Sequence, residues 1–559
     1  MSNTMTTISV FCKNLEEYID IEGGSTLAQI AELLDKRLDF TPICCRVNNK
    51  TEGLDFAIYQ PKQIEFQDCT TGSGPRVYTR SLCMMLYAAV EKLIPGTRLR
   101  IEHSISHGYY CLLDGCGAVT ASLVEALKAK MNELADADIP FVKHCKLTTD
   151  VADMFEQRGL HSKTELLRTK RELYTLYYTL GDVCDSYYGV LAPSTGHIKV
   201  FDLIVYKEGM LLLPFDASNP KVSATPVPQE KMYKAFTDYL RFDNIIGVSN
   251  VGEFNRFIEK NDAADIVNVS EALHEKALAH ISDEITARYE NGGARIVLIS
   301  GPSSSGKTTT TKRLSIQLMT NLLKPQMISL DDYFVNREDT PRDESGDYDY
   351  ESLYALDLKQ FNADLTAILS GEEVELPYYN FELGCRQYRG NKIRLEPGSI
   401  LLIEGIHGLN PELTAQIPEE MKFRIYVSAL TTLSIDDHNW VPTTDNRLLR
   451  RIIRDHKYRG TSAESTIRRW PSVRRGEEKW IFPYQENADA MFNSSFVFEL
   501  AMMKDYAENI LRTVPADVPE YAEAYRLRKF LSYFQPIDSS LLPSTSLLRE
   551  FLGGSSFRY

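Results

Sequence analysis

A glycine- and serine-rich loop between an apolar run and a helical run carries the strongest chemical signal in the sequence. In RIVLISGPSSSGKTTTTKRLS, residues 295–315, the loop satisfies the pattern GxxxxGK[ST]. Backbone N–H groups and the helix start would hold nucleotide phosphates, the lysine would reach their terminal oxygens, and the threonine hydroxyl would bind Mg²⁺. A chance match in a serine-rich turn is the alternative, but the flanking strand and helix patterns oppose it. The predicted nucleotide-binding residues are Gly301, Ser303, Ser304, Ser305, Gly306, Lys307, Thr308 and Thr309.

Two further apolar runs end in acidic residues. PQMISLDDYF ends with Asp331 and Asp332, and SILLIEG delivers Glu404. Open α/β sheets bind ligands at the carboxyl ends of their strands, so these carboxylates should face the phosphates. We expect Glu404 to bind Mg²⁺ together with Thr308. Any one acid alone is also explained as a solvated strand end, but the combination with the loop favours chemistry.

An arginine-rich stretch follows at residues 447–475. It contains ten basic residues and two acids, Asp455 and Glu464, in a chain whose net charge is −15. Such a stretch is often only a solvated surface. Next to a phosphate loop it favours a mobile lid whose guanidinium groups neutralise the transferring phosphoryl group.

Composition and patterning limit the class of protein. The 559 residues allow roughly three or four domains, and no apolar run reaches the ~18 residues of a membrane span. The N-terminus has neither a basic nor an apolar signal region, which predicts a cytoplasmic protein without a membrane partner. The ten cysteines lack metal-type spacing and are expected to be reduced thiols. The acidic net charge argues against a general nucleic-acid coat, and the absence of NKxD and DxxG disfavours a GTPase switch.

Strand and helix patterns divide the chain into five segments. From Arg295 onward strands and helices alternate, which indicates a doubly wound parallel sheet of the P-loop NTPase type. The predicted fold class is therefore multidomain, with α/β and α+β parts. The segments are 1–68, a ubiquitin-like β-grasp domain; 72–225, an α+β domain; 226–290, a linker and helical connector; 291–512, the P-loop domain; and 513–559, a helical tail packing on the P-loop domain.

The order of the motifs resembles the uridine kinase and phosphoribulokinase family over roughly residues 295–511. After the phosphate loop, that family has an aspartate before an aromatic pair, matched here by LDDYF. The further matching segments are DYESLYALD (349–357), GEEVELPYYNFELGCR (371–386), LLIEGIHGL (401–409) and RLLRRIIRDHKYRG (447–460).

The resemblance implies an ATP-dependent kinase that uses Mg²⁺. Asp331 would accept the proton of an acceptor's 5′-hydroxyl while Mg²⁺, Lys307 and lid arginines balance the phosphoryl charge. Arg450 and Arg454 are then expected in catalysis. The remaining expectations are Arg447, Arg451 and Arg459 on ATP, and Tyr350, Glu351, Tyr379 and Arg386 on a nucleoside acceptor, with Glu351 on the ribose hydroxyls.

One departure from the family pattern concerns the acceptor. Where pyrimidine nucleoside kinases have a base-recognising histidine, this chain has Gly384. Loss of a hydrogen-bonding side chain changes specificity when a polar edge of the substrate is left without a partner. Uridine-like or cytidine-like acceptors, a purine nucleoside and another hydroxylated molecule therefore all stay open.

Residues 6–225 resemble the N-terminal part of threonyl-tRNA synthetase, a ubiquitin-like domain followed by an editing domain. The matching segments are KAKMNELADADIPF (128–141) and PSTGHIKVFDL (193–203). The HxxxH and CxxxH positions of such editing domains fall here on Arg80, Met84, Tyr187 and Leu191, so the hydrolytic site is expected to be lost. The resemblance also suggests RNA or tRNA as a partner of the N-terminal region.

A second histidine pair is spaced similarly but does not favour a metal. His103 and His107 lie in a segment with a strand pattern, where four residues span ~13 Å. Ordinary histidines or an RNA contact are the favoured interpretations.

Three functions follow from these patterns. The first is phosphorylation of a nucleoside by ATP, with the front half used for regulation, assembly or RNA sensing; oligomerisation is compatible with it. The second is a nucleotide-responsive RNA-binding regulatory protein. The third is a P-loop kinase for another alcohol, such as a sugar phosphate or a pantothenate-like molecule.

Overall fold

The computed structural model describes residues 7–260, 263–343 and 346–558. Its first unit is a five-stranded mixed sheet with the order β2-β1-β5-β3-β4, and residues 1–6 of the predicted first segment lie outside the description. Period-2 alternation along the first strand buries Val10 and Cys12. The predicted β-grasp is confirmed. Its elements are β1 Thr7–Cys12, β2 Glu17–Glu22, α1 Leu27–Leu33, β3 Cys44–Val47, β4 Lys50–Glu52 and β5 Gln63–Gln67.

The second unit is an α+β region with two antiparallel sheets, ordered β10-β9-β8 and β11-β12-β7-β6. Its first helix is buried along nearly its whole length, which explains the uninterrupted apolar run LCMMLYAAV at its centre. The elements are α2 Gly74–Leu93, β6 Arg98–Ile105, β7 Gly108–Asp114, α3 Ala121–Asp136, β8 Val142–Leu147, α4 Thr148–Gln157, α5 His161–Thr169, β9 Tyr174–Leu180, β10 Val183–Asp185, β11 Asp202–Tyr206 and β12 Gly209–Leu213.

Helices connect this region to the phosphate loop. They are α6 Glu230–Ile246, α7 Val251–Lys260 and α8 Ala263–Glu290. The last of them packs its buried Leu278 and Ile285 into the main core that also holds the central strands of the C-terminal sheet.

The C-terminal domain is built on a parallel five-stranded sheet with the order β14-β17-β13-β18-β19. The predicted doubly wound P-loop fold is confirmed. The central strand is buried on both faces, as expected for a parallel sheet covered by helices. The elements are β13 Ile296–Ser300, α9 Lys307–Thr320, β14 Lys324–Ser329, α10 Leu358–Leu369, β15 Val374–Asn380, β16 Cys385–Ile393, β17 Ser399–Glu404, β18 Lys422–Ser428, α11 Thr443–Arg459, α12 Ala463–Trp480, β19 Ala490–Asn493 and α13 Glu499–Leu511.

The tail adds α14 Tyr521–Leu531 and then a mostly irregular chain with one short helix, α15 Arg549–Leu552. This last part buries Leu547, Leu548 and Phe551 in the main core. All ten cysteines are free, in agreement with the expected thiols. Among the helices that the structure describes, none is long and apolar enough to cross a bilayer.

Candidate active site

The phosphate loop leaves β13 and turns directly into α9. Ser304 and Gly306 have positive φ values of 59° and 85°, so the backbone curls and its N–H groups converge. A Cβ at Gly306 would also come within 2.7 Å of the Leu547 side chain. Both the positive φ and this close approach therefore require glycine. The Ser304 and Ser305 hydroxyls are buried without a hydrogen-bond partner among the described residues. This curled loop with unsatisfied polar groups fits phosphate oxygens.

Lys307, Thr308 and Glu404 lie at the carboxyl edge of the sheet. Strand β17 pairs with β13 in a register that sets Glu404 opposite Ile299, immediately before the loop. The Thr308 hydroxyl donates to Glu404 Oε1 at 3.0 Å, and Lys307 Nζ donates to the Pro302 carbonyl at 3.2 Å. A hydroxyl and a carboxylate at this separation are the oxygen ligands that Mg²⁺ prefers.

Glu404 has a perturbed acidity. Burial, with the neighbouring Asp331 second, raises the pKa of Glu404 to about 7, while Lys307 and Thr308 oppose that shift. The Lys307 pKa is lowered by burial against the opposing effect of Glu404 and Asp331. Perturbed acids and a lysine in one cleft are typical of a functional site.

Asp331 reaches the same cleft from the strand beyond. Strand β14 pairs with β17 so that Ser329 lies opposite Glu404, and Asp331 follows in a 3-10 turn. The Asp331 backbone N–H donates a hydrogen bond to the Ser329 hydroxyl. Asp331 is solvent-accessible, yet the protein atoms around it desolvate the carboxyl and raise its pKa, opposed by Lys307, Arg459 and Arg454. Asp331 and Lys307 thus lie close enough for each charge to shift the pKa of the other.

Two glutamates complete the acidic wall. Burial and the charge of Glu477 raise the pKa of Glu351 to about 7, and Glu351 Oε2 has no hydrogen-bond partner among the described residues. Gly476 permits this placement, because a Cβ there would lie 2.3 Å from the Glu351 Cβ. Glu477 is fully buried and accepts the Ser303 N–H of the phosphate loop at 3.1 Å.

The lid arginines separate into two groups. Arg451 Nη1 donates to the Ser303 hydroxyl at 2.9 Å, and Arg451, Arg454 and Arg459 all pair with Asp455. These three lie beside the phosphate loop and Asp331, where a phosphoryl group would need them.

The other two predicted arginines, Arg447 and Arg450, are inside the core. Arg447 is 1 % exposed and pairs with Glu477, while Arg450 is 0 % exposed and pairs with Glu499 at 2.6 Å. Arg450 also donates to the Ser304 carbonyl at 3.4 Å. In this structure Arg450 contacts the phosphate loop directly, and Arg447 contacts it through Glu477. The predicted lid consists of two packed helices, α11 and α12.

The predicted acceptor residues lie on and near the β15–β16 hairpin. Tyr379 is 3 % exposed and packs edge-on against Phe381, with ring centroids 5.0 Å apart. Arg386 pairs with Asp357 at 2.7 Å and keeps one buried nitrogen, Nη1, without a partner among the described residues. Tyr350 is 42 % exposed. Glu351, by contrast, lies close enough to Lys307 for each charge to shift the pKa of the other. The acceptor role of all four residues stays a prediction.

Gly384 has a structural reason that the sequence does not reveal. Its φ is +69°, and a Cβ there would lie 2.9 Å from the Arg337 side chain. Arg337 also donates its N–H to the Gly384 carbonyl at 2.8 Å. Arginine therefore occupies the space beside the position where the family has its base-recognising histidine.

The C-terminal tail contacts the phosphate loop, which sequence patterns did not indicate. Glu550 of α15 accepts from the Thr309 N–H at 3.3 Å and from the Thr309 hydroxyl at 2.5 Å. A carboxylate of the chain itself thus lies at the positive start of α9, where a nucleotide phosphate is expected.

In the α+β region, the two segments aligned with editing motifs do meet. Arg80 donates to the Val190 carbonyl at 2.9 Å, and Met84 and Leu191 are buried. The loss of the hydrolytic site stays a prediction. No group of three potential metal ligands occurs in the described parts of the chain.

The histidine pair is placed differently from the prediction. His103 lies in β6, but His107 occupies the two-residue turn before β7, with φ at 63°, so placing both in one strand was wrong. Positive φ at Ser106 and His107 is what a tight hairpin turn requires.

Comparison with known proteins follows this division. Residues 296–500 match the model of the phosphoribulokinase / uridine kinase family. A uridine kinase from Halobacterium salinarum is 28% identical over 193 residues, 34% of this chain and 76% of that protein. A threonine–tRNA ligase from Carboxydothermus hydrogenoformans is 26% identical over 227 residues, 39% of this chain but 34% of the ligase.

The N-terminal match thus spans about a third of the ligase's length. Among solved structures, a possible uridine kinase from Bacillus stearothermophilus shares 20% identity, covers 36% of this chain and 89% of its own, and has a TM-score of 0.25. The chain joins a C-terminal region that matches the phosphoribulokinase / uridine kinase family model to an N-terminal region similar to threonine–tRNA ligases.

Proposed function

We propose that this protein transfers the terminal phosphoryl group of ATP to the 5′-hydroxyl of a nucleoside of the uridine or cytidine type. The family match and the uridine kinase relatives support a P-loop kinase that acts on a small-molecule alcohol. The observation that carries the proposal is the convergence of Lys307, Asp331 and Glu404 at one edge of the parallel sheet. A binding module needs no carboxylate beside the phosphate-binding lysine.

In this mechanism the phosphate loop and Lys307 hold the ATP phosphates, and Asp331 accepts the acceptor's hydroxyl proton. Mg²⁺ held by Thr308 and Glu404 would neutralise charge on the bound phosphates. Arg451, Arg454 and Arg459 would add positive charge from the lid side. Positioning and electrostatics then supply the rate.

The acceptor is tested directly by incubating the full chain with ATP, Mg²⁺ and a panel of nucleosides and other alcohols, with products read by mass. Formation of uridine or cytidine monophosphate supports the proposal. Arg337 beside Gly384 favours a second candidate, a kinase whose alcohol is not a pyrimidine nucleoside. Phosphorylation of a different alcohol alone would establish that candidate and refute the first.

Mg²⁺ binding should depend on pH through Glu404. Because the pKa of this acid is raised to about 7, the carboxyl is protonated below pH 7 and Mg²⁺ must displace a proton. We expect Mg²⁺-dependent ATP affinity to rise about fivefold from pH 6 to 7 and less than about twofold from pH 7 to 8. Titrations at pH 6, 7 and 8 measure it. Glu404→Gln should remove the part of the pH dependence of ATP affinity that is due to this acid. An equal pH dependence in both proteins would refute Glu404 as the Mg²⁺ ligand.

Removing the tail carboxylate should tighten nucleotide binding. Glu550 bonds to Thr309 at the start of α9, so an incoming phosphate must displace a like charge. Glu550→Gln is expected to lower the Kd for ATP roughly five- to tenfold, equivalent to about 1–1.4 kcal/mol. Isothermal titration measures this change. Glu284→Gln, an exposed acid on α8, is the control, and weaker ATP binding by Glu550→Gln would contradict a competing role.

A further inference from the structure

A second cavity lies between the N-terminal region and the C-terminal helices. Its volume is about 580 Å³, and none of the predicted catalytic or nucleotide-binding residues lines it. Its walls come from α5 and β9 of the α+β region, from the loop around Asp436 in the P-loop domain, and from α13 and α14. A molecule bound here would contact both halves of the chain.

Aromatic rings dominate one part of the lining. Five tyrosines reach the cavity: Tyr174, Tyr187, Tyr188, Tyr525 and Tyr533. Tyrosine faces offer stacking surfaces for a planar ring, and their hydroxyls offer hydrogen bonds. Tyr187 is 5 % exposed, and its hydroxyl lies near Asp185 yet makes no hydrogen bond within the described parts of the chain.

The charged groups of the lining are not balanced. Lys170 pairs with Glu172 at 2.7 Å, Arg512 pairs with Glu508 at 3.4 Å, and Asp436 is held by Lys163 at 2.7 Å. These contacts engage every acid of the lining.

Two cations remain. For Arg528 and Lys529 the described ranges 7–260, 263–343 and 346–558 contain no ion pair or side-chain hydrogen bond. Both residues are half-buried on α14. Half-buried cations without an ion pair are costly in a partly apolar lining unless an anion joins them.

The titration of Lys529 agrees with this geometry. Burial first, and the positive charge of Lys170 second, lower the pKa of Lys529 to about 8, while the charge of Glu172 opposes that shift. An unpaired cation under this strain is stabilised by a bound anion, and arginine and lysine together are the usual phosphate ligands in proteins.

We propose that this cavity is a binding site for a phosphorylated small molecule with an aromatic ring, of the nucleoside monophosphate class. Its phosphate would lie against Arg528 and Lys529, and its ring against the tyrosines. The volume of about 580 Å³ lies within the range of small-molecule sites. The site is separate from the phosphoryl-transfer cleft, and the proposal does not depend on the reaction at that cleft.

The test uses the full chain carrying Lys307→Ala, which removes the phosphate ligand of the other cleft. Uridine monophosphate, inorganic phosphate and uridine are the probes, with isothermal titration and thermal unfolding as readouts. We expect uridine monophosphate to bind and to raise the Tm, since a ligand that bridges both halves stabilises the folded chain. Inorganic phosphate and uridine should each bind at least tenfold more weakly.

Two variants in the same background locate the site. Lys529→Gln should weaken binding of uridine monophosphate at least tenfold, and without ligand its Tm should equal or exceed that of the parent because an unpaired cation is gone. Lys146→Gln on β8, an exposed lysine outside the lining, should bind as the parent does. Absence of binding by all three probes, equal affinity for phosphate and the mononucleotide, or unchanged binding by Lys529→Gln would each overturn the proposal. Because Lys307→Ala is used throughout, a failure of nucleoside phosphorylation would leave this outcome unaffected.

Discussion

Asp331→Asn is expected to lower the turnover of phosphoryl transfer roughly a hundred- to ten-thousand-fold, the usual contribution of a general base. Asparagine has nearly the same shape, but its amide cannot take up the acceptor's proton. It also removes the negative charge that Lys307 and Arg459 face in the cleft, so ATP binding should change little or tighten. Steady-state transfer to the nucleoside found in the acceptor panel, together with the Kd for ATP, measures both effects.

The neighbouring acid supplies a matched control. Asp332 accepts the Tyr379 backbone N–H at 3.1 Å, and the Oδ1 of asparagine can accept the same bond. Asp332→Asn should therefore keep most of its activity while changing the same residue type one position along the chain. If Asp331→Asn retained more than a tenth of the parent turnover with an unchanged Tm, Asp331 would not be the base.

The parts of this cleft that could be predicted from the sequence are those fixed by local geometry and strand topology. The phosphate loop follows from a continuous strand, turn and helix, and parallel strands necessarily bring Asp331 and Glu404 to one edge. Glu477 and Glu550 contact the loop from positions 174 and 241 residues away along the chain. No periodicity or motif encodes such distant contacts, so both were missed.

The lid arginines illustrate the same limit. Their spacing along α11 indicates one basic face of the helix, but the burial of each side chain depends on its partners from other helices. Glu477 of α12 and Glu499 of α13 draw Arg447 and Arg450 into the core, while Arg454 and Arg459 stay beside Asp331. Each of these two buried guanidinium groups is met by a carboxylate from another helix, and that pairing is a tertiary property.

The buried Lys163 forms ion pairs with both halves of the chain. Of the substitutions considered, its replacement should lower the free energy of unfolding most. Lys163 on α5 is 1 % exposed and lies between two buried acids, Asp185 of the α+β region at 2.6 Å and Asp436 of the P-loop domain at 2.7 Å. His438 contacts Asp185 at 2.8 Å from the same loop as Asp436. The P-loop domain therefore extends a loop onto Asp185 of the α+β region.

Lys163→Met is expected to lower the free energy of unfolding by about 3–5 kcal/mol, because two buried carboxylates lose the cation between them. Chemical denaturation at pH 7 measures this loss. Lys143→Met is the control, since Lys143 pairs with Asp55 at a partly exposed site, 24% and 54% accessible, where a pair contributes between zero and about 1 kcal/mol.

The pH dependence of the loss identifies its cause. Without Lys163, desolvation, the largest influence on Asp185, should raise the pKa of this acid in the folded state above that of an unfolded aspartate, about 3.9. The folded variant then binds more protons than its unfolded chain, so its stability increases as the pH falls. The deficit relative to the parent should consequently shrink as the pH falls towards the unfolded pKa of about 3.9. If the loss of stability did not change with pH, its cause would be the lost packing of the lysine stem. That result would refute the proposal that a charge network stabilises the contact between the two halves.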